Sequence, residues 1–173
     1  MNELLEIFKY VLPSVVVFAA AYYLIKLFLD NEQKKRTADI RMSGYKIITP
    51  IRLQAYERLI LLLERISPES LIMRIHKPEF SALLLQTALI TTIREEFEHN
   101  LSQQVYVSSQ AWELVRSAKE DMIKLINTAA TKLNDNATSM ELSRKIFEIS
   151  LSPDKLLYKS ALEFLKNEIR QVF

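Results

Sequence analysis

The chain has 173 residues, room for one domain and an appendage, and its 23 basic and 21 acidic residues leave a net charge of only +2. That balance excludes a general nucleic-acid binder. The lack of cysteine excludes disulfide frameworks, thiolate zinc sites and a cysteine nucleophile, and a single glycine argues against hairpins, Rossmann turns and P-loops.

Leu, Ile, Ala, Glu, Lys and Arg are abundant, so an all-α fold is expected. The first element is the apolar stretch VLPSVVVFAAAYYLIKLFL, residues 11–29. No charged side chain occurs between Tyr10 and Ile25, and a helix from Tyr10 to Leu29 is about 30 Å long, the thickness of a bilayer's hydrocarbon. Lys26 stands near one end, where its stem can lift the ammonium to the headgroups. Phe8, Tyr10, Tyr22 and Tyr23 suit the two interfaces. Ala19 and Ala21 form an A-x-A cleavage pattern, but Glu3 and Glu6 stand where a signal peptide has basic residues. A retained transmembrane anchor over 1–29 is the expectation. Lys34, Lys35, Arg36, Arg41 and Lys46 follow it, against Lys9 alone before it, so the positive-inside rule puts the N-terminus outside and the body in the cytoplasm. The span holds no pair of small residues four apart, so tight self-association inside the membrane is not indicated.

After the span, the charged residues 30–43 are expected to continue the helix until Gly44 breaks it. This makes 30–48 a juxtamembrane helix and linker, and 49–173 a helical bundle domain. Thr49-Pro50, Ser67-Pro68 and Ser152-Pro153 each pair an N-cap oxygen with a proline at the first helical position, and Pro78 opens another segment. Ser108 or Ser109 is expected to cap the segment containing Trp112, and Thr138 with Glu141 reads as a capping box. These signals predict helices near 50–66, 68–75, 78–99, 109–134, 139–150 and 153–172, giving a bundle of about five or six helices. The connection 100–108 is expected to pack down through Leu101, Val105 and Tyr106.

Periodicity agrees. Trp112, Val115, Met122, Ile126, Ala129 and Leu133 form one stripe opposite Glu113, Arg116, Glu120, Lys124 and Asn127. In the last helix Leu157, Ala161, Leu165 and Val172 oppose Lys159, Glu163, Lys166 and Arg170. The uncharged stretch 80–93 is too short and too polar for a second span and is read as the central core helix. In 50–66, Leu53, Tyr56, Leu59, Ile60 and Leu63 share a face, and Leu61 falls in the polar row. It is either an ordinary exposed leucine or part of a partner surface.

Chemistry is sparse. Glu96-x-x-His99 has the i, i+3 spacing of a metal-binding pair, yet carboxylate di-metal sites need two such pairs, and the only other histidine, His76, has Met73 three residues before it. A solvated helix C-terminus explains the segment better. No serine has the glycines of a nucleophile elbow. Arg52, Arg58, Arg65 and Arg74 are read as salt-bridged surface with interspersed acids. No catalytic, cofactor-binding or metal residue is assigned, and no cofactor, small molecule or nucleic acid is expected.

At PIRLQAYERLILLLERISP (50–68) and VYVSSQAWELVRSAKEDMIKLIN (105–127) the chain resembles a family of uncharacterised, single-pass bacterial membrane proteins with a small helical domain, mostly from Bacteroidetes-type bacteria. The resemblance implies a bacterial inner-membrane location and the same architecture, and it carries no activity. The function expected is a membrane-anchored, cytoplasm-facing interaction module, working as adaptor, scaffold or accessory subunit on a protein partner or on further copies of itself. The alternative is an enzyme with an unrecognised helical active site, metal-dependent through Glu96 and His99. An enzyme is the less favoured of the two.

Overall fold

The computed structural model describes residues 2–151 and 157–172. Among them the protein is all-α: α1 (Asn2–Arg65), α2 (Pro68–Ile75), α3 (Ala82–His99), a 3₁₀ turn (Leu101–Val105), α4 (Ser109–Ala130), α5 (Ser139–Ser150) and α6 (Leu157–Val172). The chain divides into two compact units, 1–49 and 50–173.

The N-terminal unit is a stretch of helix, apolar over 11–29 and charged over 30–41, and none of its described side chains is buried. Val15, Phe18, Tyr22, Leu24 and Phe28 are all exposed. Its polar side chains find local partners: the Ser14 and Thr37 hydroxyls donate to the carbonyls of Val11 and Gln33, and Arg36 meets Glu32 one turn away at 3.4 Å. The helix is not broken at Gly44, nor does a new one start at Thr49-Pro50, as the sequence suggested. A helical glycine costs only about 1 kcal/mol. Pro50 removes one N–H, and the densely buried run that follows, from Ala55 to Ile66, offsets that loss.

In the C-terminal unit, Tyr56, Leu59 and Leu63 of α1 and Ile66 just after it join Leu71 and Ile72 of α2, Leu85, Leu89, Ile93 and Phe97 of α3, and the inner faces of α4, α5 and α6 in one hydrophobic core. α2 begins at Pro68, but Ser67 does not cap it. Its hydroxyl donates to the Glu64 carbonyl at 2.7 Å. α3 starts at Ala82, four residues after Pro78. Ser81 is instead held extended opposite Thr138: Ala82 N–H donates to the Ala137 carbonyl at 2.9 Å, and Ser139 N–H to that of Phe80 at 3.2 Å. Ser81 then caps the helix by accepting the Leu84 N–H.

α3 is also less central than 80–93 suggested. Leu85, Leu89, Ile93 and Phe97 form a buried row at four-residue spacing, while Leu83 is 70% exposed and Leu84 also faces outward. In the connection to α4 the expected anchors Leu101, Val105 and Tyr106 are exposed, and Gln103 is buried in their place. α4 carries the predicted stripe: Val115, Met122, Ile126 and Ala129 are buried, and Glu113, Arg116, Glu120, Lys124 and Asn127 are exposed. The helix ends at Ala130 instead of residue 134. Trp112 stacks on Phe97 with ring centroids 5.3 Å apart, and the Lys119 ammonium lies 4.5 Å from the Phe97 centroid.

α5 has the predicted box. The Thr138 hydroxyl accepts the Glu141 N–H, and the Glu141 carboxylate accepts the Thr138 N–H at 2.8 Å. In α6, Ala161 and Leu165 are buried and Leu157 is exposed; the predicted start at Ser152-Pro153 lies outside the described residues.

Candidate functional site

Three polar clusters bring together side chains from different elements of the C-terminal unit. The first contains Glu96, the acid of the suspected metal pair. Its Oε1 accepts from Arg65 of α1, with Nε at 2.8 Å and Nη2 at 2.6 Å, and lies 3.3 Å from an Arg74 nitrogen of α2. Its side chain is mostly buried against these two cations, whose planar forks suit a carboxylate. The carboxylate is therefore committed to tying α3 to α1 and α2. His99 is exposed on the last turn of α3, and among the described residues no three histidine or acidic side chains cluster as a metal site. The solvated-end reading of this segment fits His99 but misses Glu96, whose partners come from elements 22 and 31 residues away.

The second cluster is His76, Lys77 and Ser139. Ser139 Oγ lies 3.1 Å from His76 Nε2 and donates to the Lys77 carbonyl at 3.1 Å. With the serine proton directed at the Lys77 carbonyl, Oγ is left to accept from the tautomer of His76 that carries its proton on Nε2. A catalytic base needs the reverse, a lone pair on Nε2 that takes the serine proton. Ser139 is also sealed from solvent. The arrangement clamps the end of α2 to the start of α5.

The third cluster lies at the N-terminus of α4. Ser108 Oγ accepts the Ala111 N–H at 3.1 Å and donates to Glu168 of α6 at 3.1 Å. The first turn of α4 has no acid of its own, so Glu168 supplies the negative charge that the helix dipole favours there. Arg52 Nε donates to the Tyr106 carbonyl at 3.1 Å. The Tyr56 hydroxyl is buried and makes no hydrogen bond of good geometry, with the Ser108 backbone, Arg52 and Glu168 as its polar neighbours. Burial, and then the nearby Glu168 carboxylate, push its pKa above the ordinary 10.0. Tyr158 is pushed up in the same direction by burial, then by Glu69 and Glu64.

Sequence reading found the Ser108 cap but not Glu168, which stands 60 residues away with no local signal.

The remaining feature is apolar surface. Leu61 is 59% exposed, as its place in the polar row implied, and Met73, Leu83, Leu84 and Met140 are exposed as well. The pairing of Ser81 with Thr138 brings the first turns of α3 and α5 together, so Leu83, Leu84 and Met140 all lie within three residues of that bridge. An open groove lined by Arg116, Ser117, Glu120, Asp121, Lys124 and Leu157 carries mixed charge and no histidine. Among the described residues one helix, α1, is by length and composition suited to crossing a membrane, and none of its apolar window is buried.

The family of unknown function DUF7935 matches residues 2–172, and the chain belongs to that family. No curated protein and no solved structure matches it.

Proposed function

We propose that the protein is a single-pass membrane protein whose C-terminal bundle acts by binding a protein partner, as an adaptor, scaffold or accessory subunit. In this reading 1–29 is the anchor, 30–48 the juxtamembrane segment and 49–173 the interaction domain. The observation that carries it is the exposed apolar window of α1, which has no core to enter and needs an apolar solvent. The basic residues Lys34, Lys35 and Arg36 support a cytoplasmic bundle with the N-terminus outside, and the family resemblance supports a bacterial inner membrane. Exposed Leu61, Leu83 and Leu84 offer the bundle's contact side chains.

Crosslinking the full-length chain in its native membrane tests the partner half of the proposal. The expected result is one reproducible heterologous protein, lost on Leu83→Asp with Leu84→Asp or on Leu61→Asp while the far-UV spectrum stays unchanged. Identical recovery from all variants would remove these residues from the interface.

A further inference from the structure

Arg65 and Arg74 come from different helices and share one acid: among the described residues Glu96 is the single carboxylate paired with either guanidinium. Glu95, beside it on α3, is exposed and pairs with neither. Glu64 of α1 and Glu69 of α2 lie instead near Tyr158 of α6. The cluster therefore carries one positive charge in excess. It is also partly sunk in the surface, with the Arg65, Arg74 and Glu96 side chains 54%, 32% and 16% exposed. Withdrawing an unbalanced cation from water is costly, so the cluster favours a second anion.

The contacts of both arginines converge on Oε1 of Glu96, and Oε2 takes no hydrogen bond from the described residues. Among those residues the one buried side-chain polar atom without a partner is the Tyr56 hydroxyl, so Oε2 meets solvent. Arg65 Nη2 and Arg74 Nη1 lie 2.6 and 3.3 Å from the same Oε1, close enough together for one small oxyanion to bridge them. The cluster thus sets unused N–H donors on two cations beside an unused carboxylate acceptor. A sulfate or a phosphodiester would satisfy the donors but turn lone pairs toward Oε2. A hydrogen phosphate suits both: its bare oxygens accept from the guanidinium forks, and its P–O–H donates to Oε2.

We propose that Arg65, Arg74 and Glu96 form a binding site for a hydrogen phosphate group, either inorganic phosphate or the headgroup of a phosphate monoester. Glu96 has two duties in it. Through Oε1 it holds the two arginines together, and through Oε2 it selects for a phosphate that still carries a proton. The site depends on neither the anchor nor the protein partner proposed above.

The test uses the full-length protein, isotope-labelled and reconstituted in phosphatidylcholine bicelles at slightly acidic pH and fixed ionic strength. Inorganic phosphate or sulfate is titrated in, and the arginine Nε–H resonances are followed. Phosphate is expected to shift those of Arg65 and Arg74 saturably and to bind about tenfold tighter than sulfate, the worth of one hydrogen bond to a charged group. Glu96→Gln offers sulfate a donor in place of a lone pair, and is expected to bring the two affinities within about twofold of each other. Arg65→Gln should weaken phosphate about tenfold, whereas Arg116→Gln, at a one-to-one pair with Glu113, should leave it unchanged. Doping the bicelles with phosphatidic acid, a monoester, or phosphatidylglycerol, a diester, separates the sources. A shift with free phosphate assigns the site to a soluble ligand; a shift with phosphatidic acid alone assigns it to a lipid headgroup. No saturable shift with either monoester or phosphate, equal responses to phosphate and sulfate, or a preference that survives Glu96→Gln would overturn the site.

Discussion

The two halves of α1 are both rich in large aliphatic residues and meet opposite fates. Residues 55–66 bury Tyr56, Leu59, Leu62, Leu63 and Ile66 in the core, whereas Val15, Val16, Phe18, Leu24 and Phe28 are left exposed. The difference lies in spacing and company. In 55–66 the apolar residues are interrupted by Glu57, Arg58, Glu64 and Arg65 on one side, which confines them to the face that joins the bundle core. In 11–25 no charge interrupts them, the helix is apolar all round, and no second element within its unit can cover it. A bundle core serves the first pattern; the second calls for an apolar solvent.

That contrast can be broken by substitution. The largest effect is expected in the core: Leu89→Ala, at a side chain with no solvent exposure, should lower bundle stability by about 2–5 kcal/mol in urea unfolding followed by circular dichroism. Phe18→Ala, the same kind of truncation in the exposed half, should move that transition by less than about 0.5 kcal/mol. Similar losses from the two would mean that the halves share a core. Next comes Glu96→Ala, which leaves Arg65 and Arg74 facing each other and should cost about 1–2 kcal/mol, with Glu96→Gln recovering part of it. Thr138→Ala removes the α5 cap and should cost about 1 kcal/mol by the same assay.

The smallest effects are expected in the pH dependence. The Thr138 N–H and hydroxyl lower the pKa of Glu141, and Lys145 lowers that of Glu148. A carboxylate whose folded pKa is depressed stabilises fully above its unfolded value and loses that contribution as pH falls through the folded one. The acid limb of the stability curve should therefore start near pH 4.5 and extend below it, and Glu141→Gln should shallow it. Tyr56 has the opposite sign: its raised pKa gives a contribution present below pH 10 and lost above it. Tyr56→Phe should flatten that alkaline limb, and an unchanged limb would assign it to Tyr158 or to the lysines.

What the sequence made legible was local. The Thr138–Glu141 box, the Ser108 cap, the proline at the head of α2 and the α4 stripe are all contained within a few turns of one element, and each is observed. Reading failed where the deciding partner was remote. Pro78 marks a place where a helix can begin, but the bridge to Thr138 holds Ser81 extended and moves the start to Ala82. Gly44 and Pro50 are weak formers that do not end the helix. Glu96 looked like a solvated terminal acid because Arg65 and Arg74 reach it only in the folded bundle, and the His76–Ser139 clamp spans 63 residues. Exposed apolar side chains were legible singly, as at Leu61, but the closeness of Leu83 and Leu84 to Met140 depends on that same bridge.

The proposed anchor requires 11–29 to reside in a bilayer and the bundle to stay outside it. Alkaline carbonate extraction of membranes containing the full-length chain, with intact mass measured on the fraction that holds it, tests this most directly. The account predicts an uncleaved protein in the membrane pellet, and release into the supernatant when Val16 and Ala20 are both replaced by arginine. Uncleaved wild-type protein in the supernatant, or a mature chain starting after Ala21, would contradict it.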